Sequence, residues 1–159
     1  MTNTQNDAEP FILFELAGTT YGVRSRFVQQ VEMIEHVTSV PNAPAAVEGV
    51  VLARGQVIPA LNLRARFGFE RTPFDLRSRL VVVSTGGRTL GLIVDSAREF
   101  LRIPEAAVEP PPEAITGLSG KYLEGVATVG GRIILVLDLG EVIDLGEQRP
   151  AAGAPPAAA

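Results

Sequence analysis

Phe11–Gly22 reads FILFELAGTTYG, and Leu80–Gly91 reads LVVVSTGGRTLG. Laid over each other at an offset of 69 residues, apolar positions meet apolar positions, Gly18 meets Gly87, Thr20 meets Thr89 and Gly22 meets Gly91. The same offset brings Val31 and Ile34 onto Phe100 and Ile103. Further on, Gly49–Leu63 (GVVLARGQVIPALNL) matches Gly125–Leu139 (GVATVGGRIILVLDL) at an offset of 76. The chain is therefore an internal repeat, and its second copy carries seven extra residues in the proline-rich stretch from Pro104 to Glu124.

Each copy contributes two hairpins. One turns at Gly18 or Gly86-Gly87, the other at Arg54-Gly55 or Gly130-Gly131. Glycine suits these tips because a tight hairpin needs positive φ. Apolar runs this short, bounded by Gly and Pro, read as strands. About five strands with one apolar face hide that face by curling into a small barrel. The fold class predicted is all-β, with two five-stranded barrels intertwined in one domain and a groove between them. Short helical turns are expected at Asn62–Phe67 and near Gly140–Ile143, capped by Asn62 and Asp138, and another after Pro44. The domain spans residues 11–145, from repeat copies of about 11–68 and 80–144. Residues 1–10 read as a flexible N-terminus and 146–159 as a disordered Ala/Pro tail.

The 159 residues are 46% hydrophobic and 20% charged, enough for a core. A net charge of −4 argues against a nucleic-acid partner, which calls for a basic face. With no cysteine, disulfides and thiol chemistry are excluded. Residues 1–10 hold no apolar signal core. Runs such as Ile133–Leu137 are too short to insert in a bilayer, so the chain is expected in the cytoplasm.

Reactive constellations are absent from the pattern. His36 is the sole histidine and reads as a solvated loop residue rather than a metal ligand. No nucleophile elbow and no phosphate-cradling loop occurs. The carboxylates Asp7, Glu15, Glu32 and Glu35 define no cleft, and Asp95 reads as a strand-end or turn residue. No cofactor is implied and no catalysis is expected. What remains is surface. Arg54 occupies a hairpin tip where the other copy has Gly130; it reads first as a solubilising turn residue, and alternatively as a projecting guanidinium that meets a carboxylate on a partner. Val28 and Gln30 are further candidates, although Val28 and Val31 read as core strand residues more than as contacts.

The ordered set Tyr21-Gly-Val-Arg, Val28-Gln-Gln-Val, Val37-Thr-Ser-Val-Pro-Asn-Ala-Pro and Gly49–Gly68 resembles the bacterial chemotaxis coupling protein CheW family. Leu90–Asp95, Tyr122–Gly125 and Ile133–Leu139 extend the resemblance across most of residues 11–145. It implies SH3-like barrels and a non-enzymatic adaptor between the cytoplasmic tip of transmembrane chemoreceptors and the regulatory domain of a CheA-type histidine kinase. The adaptor would sit in the cytoplasm at receptor arrays, with no nucleic acid and no direct membrane insertion. The resemblance places Val28, Gln30, Arg54 and Val57 at the kinase or receptor contact, and Glu113 and Ala114 at a second, ring-type contact. The receptor tip is expected in the groove between barrels.

Three positions depart from the family pattern. Leu52-Ala53-Arg54-Gly55 stands where Asn-Leu-Arg-Gly is common, Gln30 where glutamate is usual, and Ala114 where a larger apolar residue is expected. Each departure is expected to weaken one interface by removing charge assistance or buried area. The alternative reading is an SH3-like peptide-binding adaptor of a non-flagellar chemosensory pathway. A peptide groove calls for several aromatics, and aromatics make up 6% of this chain, with no tryptophan. A small-ligand enzyme or sensor would need convergent polar groups in a pocket.

Overall fold

The computed structural model of the chain describes residues 8–113 and 120–145. Its strands are β1 (Ala8–Leu16), β2 (Thr19–Arg24), β3 (Val28–Met33), β4 (Val47–Ala53), β5 (Gln56–Asn62), β6 (Arg79–Thr85), β7 (Arg88–Val94), β8 (Ser96–Pro104), β9 (Val108–Glu109), β10 (Leu123–Val129) and β11 (Arg132–Leu137). Two single-turn helices, α1 (Leu63–Arg66) and α2 (Leu139–Val142), follow β5 and β11. Asn62 and Asp138 cap them, their side chains accepting from the N–H of Ala65 and Glu141, as the sequence predicts. The expected turn after Pro44 is also present, closed by the Val47 N–H on the Pro44 carbonyl at 2.9 Å.

One sheet runs β8-β1-β2-β11-β10-β9 and the other β3-β6-β7-β5-β4. Neither repeat copy closes a barrel by itself. Hairpin β1–β2 comes from the first copy but joins β8–β11 of the second, and β6–β7 joins β3–β5 in return. The exchange is sealed by two parallel pairings, β2 with β11 and β5 with β7. The first sheet has a sixth strand, because the proline-rich stretch after Pro104 contributes the two-residue β9.

Burial follows from this exchange. β6 places Leu80 and Val82 inside its own barrel, while Val81 and Val83 face a core shared by both barrels. Both faces being buried, the strand reads as a continuous apolar run rather than an alternating one. Phe14, Leu16, Tyr21, Val23, Leu61 and Leu137 join that shared core. Phe11, Leu13, Ile103, Ile134 and Val136 fill the other barrel. A bulge between Leu13 and Phe14 switches β1 from the barrel interior to the shared core without a break.

The N-terminal expectation needs correcting. β1 begins at Ala8, three residues before the apolar run, with Ala8 opposite Pro104 and Pro10 opposite Arg102. Pairing with β2 stops at Phe11, so Pro10 lies where β1 has one neighbour, a position that tolerates its missing N–H. Residues 1–7 and 146–159, including the expected tail, lie outside the described residues.

Candidate partner-binding surface

Each of the four two-residue hairpin tips among the described residues has two consecutive positive-φ residues: Ala17-Gly18, Arg54-Gly55, Gly86-Gly87 and Gly130-Gly131. Arg54 takes φ 54° where its repeat counterpart Gly130 takes 57°. A side chain in this region costs about 1 kcal/mol. Arg54 is exposed, and among the described residues it makes no hydrogen bond or ion pair.

Edge strands β3 and β4 stand at the two ends of the second sheet's strand order, yet residues of both line the same hollows, which brings sequence-distant residues together. Gln30 and Arg54 line one shallow hollow with Gln29, Gln56 and Thr89. Val57 lies beside it, directly opposite Leu52, and the two are 66% and 70% exposed. Leu52 in turn shares a hollow with Met33, Glu35 and His36. Val31 and Met33 alternate along β3 with the less exposed Gln30 and Glu32, so β3 turns its apolar side chains outward. The result is an apolar patch of Val31, Met33, Leu52 and Val57 with Arg54 at its tip. Val28 stands apart from it. It opens β3 opposite Val83, half-buried against the shared core.

Sequence reasoning missed Met33, named Leu52 only as a departure from the family pattern, and read Val31 as core more than contact, whereas Val31 is exposed. Strand alternation shows that two faces differ but not which one faces water, and that depends on how the barrel closes. His36 is exposed in the loop after β3. No group of three or more His, Cys, Asp or Glu able to hold a metal occurs among the described residues. No helix among them is long and apolar enough to cross a membrane.

Between the barrels, Asp95 accepts from the Ala17 N–H at 2.9 Å and from Arg64 Nε and Nη2 at 2.9 and 2.7 Å. This ties the β1–β2 tip to α1. Partial burial pushes the Asp95 carboxyl upward, but these hydrogen bonds outweigh it and hold it below the usual carboxylate range. Rings of Phe14, Tyr21, Phe67 and Tyr122 follow one another along the same seam, Phe14 stacked on Tyr21 and Phe67 on Tyr122, with Tyr21 and Phe67 tilted by 41°. Beside it opens a hollow of about 590 Å³ lined by Pro44, Ala46, Ala65, Phe69, Arg71 and Leu145.

On the first sheet, Arg24 is the one charged side chain that is buried among the described residues, at 4% exposure. It donates to Glu9 at 2.7 Å, to both oxygens of Glu105 at 3.2 Å, and to Glu124. The Phe11 ring lies under its guanidinium at 5.0 Å. These carboxylates hold Arg24 protonated above its ordinary range, against the opposing effect of burial, which is the largest single influence. Glu113 is exposed at the end of the described segment, and Ala114 lies outside the described residues.

A family model described as "CheW-like domain" matches residues 10–147. The "Chemotaxis protein CheW" of Klebsiella aerogenes is 27% identical over 139 residues, covering 87% of this chain and 84% of that one. The protein of the same name from Thermotoga maritima is 31% identical over 123 residues, 74% of this chain and 78% of its own. Among solved structures, the scaffolding protein TtCheW from Thermoanaerobacter tengcongensis superposes with a TM-score of 0.80 at 31% identity, covering 86% of this chain and 93% of that one.

Proposed function

We propose, because this chain belongs to the CheW-like domain family, that it is a non-enzymatic chemotaxis scaffold holding a CheA-type histidine kinase beside the cytoplasmic tip of a chemoreceptor. The kinase regulatory domain docks on the β3–β4–β5 face, at Gln30, Arg54 and Val57, with Val28 at its border. The receptor tip takes the groove between barrels. Glu113 and Ala114 serve a second, ring-type contact. The work done is to raise effective concentration and couple geometry, not to make bonds.

The observation that carries the reading is Arg54. A cation without a partner among the described residues, kept in a backbone conformation that glycine would hold at lower cost, crowns an exposed apolar patch. Strain retained at an exposed tip is characteristic of binding sites. Leu52 and Val57 provide area and Arg54 provides orientation, with the charge strengthening any hydrogen bond to a partner carboxylate. Leu52, standing where the family commonly has asparagine, adds apolar area to this face instead of removing it.

Arg54→Glu keeps a non-glycine residue at the same φ, so the fold is unaffected while the charge is reversed. Titration calorimetry against a CheA-type regulatory domain should show affinity falling about tenfold or more, near 1.4 kcal/mol. Thermal unfolding should stay within about 0.5 kcal/mol of the parent. Undiminished affinity counts against Arg54 as the contact.

A further inference from the structure

Between α1 and β6 runs a stretch that the proposed scaffold role does not use. Residues 68–77 read GFERTPFDLR, all are exposed, and none belongs to a strand or helix. Both ends are tied down: Arg64 donates to the Glu70 carbonyl at 3.1 Å, and Asp75 forms a turn with Ser78. Between the ties stands Thr72, the one serine or threonine in the chain followed directly by a proline. Its side chain makes no hydrogen bond among the described residues. Pro73 keeps Thr72 out of the helical region and in extended backbone, and its own φ is fixed. The dipeptide is thus presented in the form that an enzyme reading an extended peptide requires, at a lower ordering cost than a free loop. Thr72 also lies beside the latch between the barrels. With Pro73 and Phe74 it lines a small hollow whose other walls include Asn62, Arg64 and Asp95. The Arg64 and Asp95 side chains are 20% and 26% exposed, so both can be reached from the surface. Arg77 is exposed, makes no side-chain hydrogen bond or ion pair among the described residues, and acts electrostatically on Asp95.

We propose that Thr72 is a phosphorylation site for a Ser/Thr protein kinase that takes proline after its target, and that the phosphate competes with Asp95 for Arg64. This site goes beyond the scaffold role and does not depend on it. Thr72 Oγ1 attacks the γ-phosphorus of ATP. An O–P bond forms, the bond from that phosphorus to its bridging oxygen breaks, ADP leaves with the electron pair, and the hydroxyl proton passes to the base of the kinase. The product carries a charge of about −1.5 to −2 at neutral pH and three acceptor oxygens, against the single charge of Asp95. The planar fork of Arg64 suits either anion, and Arg77 adds a second cation on the side of the phosphate. Arg64 therefore turns to Thr72, Asp95 loses both Arg64 donors, and like charge drives the two anions apart. The tie between the β1–β2 tip and α1 is broken and the tip opens locally. The Asp95 N–H still bonds the Glu15 carbonyl at 3.0 Å, so the change stays at the tip.

The full chain, incubated with such a kinase and magnesium ATP, tests this by intact mass and by peptide fragmentation. One phosphate on Thr72 is the expected product, with Thr72→Ser labelled and Thr72→Val unlabelled at that position. Hydrogen exchange then compares the phosphorylated and unmodified chains. Peptides over 14–20 should exchange about threefold faster or more after phosphorylation, while peptides over 47–58 stay unchanged. In Asp95→Asn, where the latch is already weakened, phosphorylation should add no further acceleration. No phosphate at Thr72, or phosphate placed mainly on Ser39 or another residue, overturns the site. Phosphate at Thr72 with unchanged exchange over 14–20 overturns the competition with Asp95, as does an equal acceleration in Asp95→Asn.

Discussion

Two charged side chains divide the labour. Arg54 stands free of partners among the described residues at an exposed, strained tip, and Asp95 is fully engaged between the barrels. The Asp95 carboxyl sits below its ordinary range when folded, so the sign of its pH dependence follows. Its contribution is complete above the unfolded value, near 4, and is lost as pH falls through the lower folded value. Asp95→Asn should therefore destabilise the chain by about 1–2 kcal/mol at neutral pH. The gap from the parent should hold constant from pH 7 to about 5 and narrow below about 4. Urea unfolding across that range reads it, and a gap that widens in acid contradicts the latch.

Glycines that look alike in the repeat do different work in the strands and turns. Gly55 has open space around its missing side chain, as a tip requires. Gly49, at the start of β4, has φ 154°, and a Cβ there would lie 2.0 Å from the Thr38 carbonyl oxygen, which bonds the Val50 N–H at 2.8 Å. Its counterpart Gly125 would meet the Glu109 carbonyl oxygen at 2.7 Å. Gly49→Ala should cost about 3 kcal/mol or more, since backbone must move. Gly55→Ala should cost only about 1 kcal/mol. Chemical denaturation separates them, and equal losses would remove the crossing segment as the cause. Both the repeat and the caps at Asn62 and Asp138 are legible in the sequence because they depend on residues close by along the chain. The role of Gly49 is not, since Thr38 arrives from outside the hairpin. Likewise β9 is two residues long and is held by pairing with β10, so no local run announces it. Gln30 and Arg54 could be picked out one at a time, but their meeting in one hollow depends on β3 and β4 closing the barrel.

Exchange of hairpins makes the two barrels one folding unit. Each needs β-strands from both repeat copies, and the largest core lies between them. A rigid body with separated faces is what a scaffold requires: an apolar patch with Arg54 on one barrel, an acidic corner organised by Arg24 on the other, and the Asp95 seam holding the distance. Coupling between partners on such a body comes from shared geometry, and each partner should bind whether or not the other is present. Sedimentation velocity on the full chain, mixed with a CheA-type regulatory domain and a receptor-tip hairpin, reads this directly. One species containing all three components is the predicted result, and partners that displace each other, or a chain that sediments alone, would contradict it.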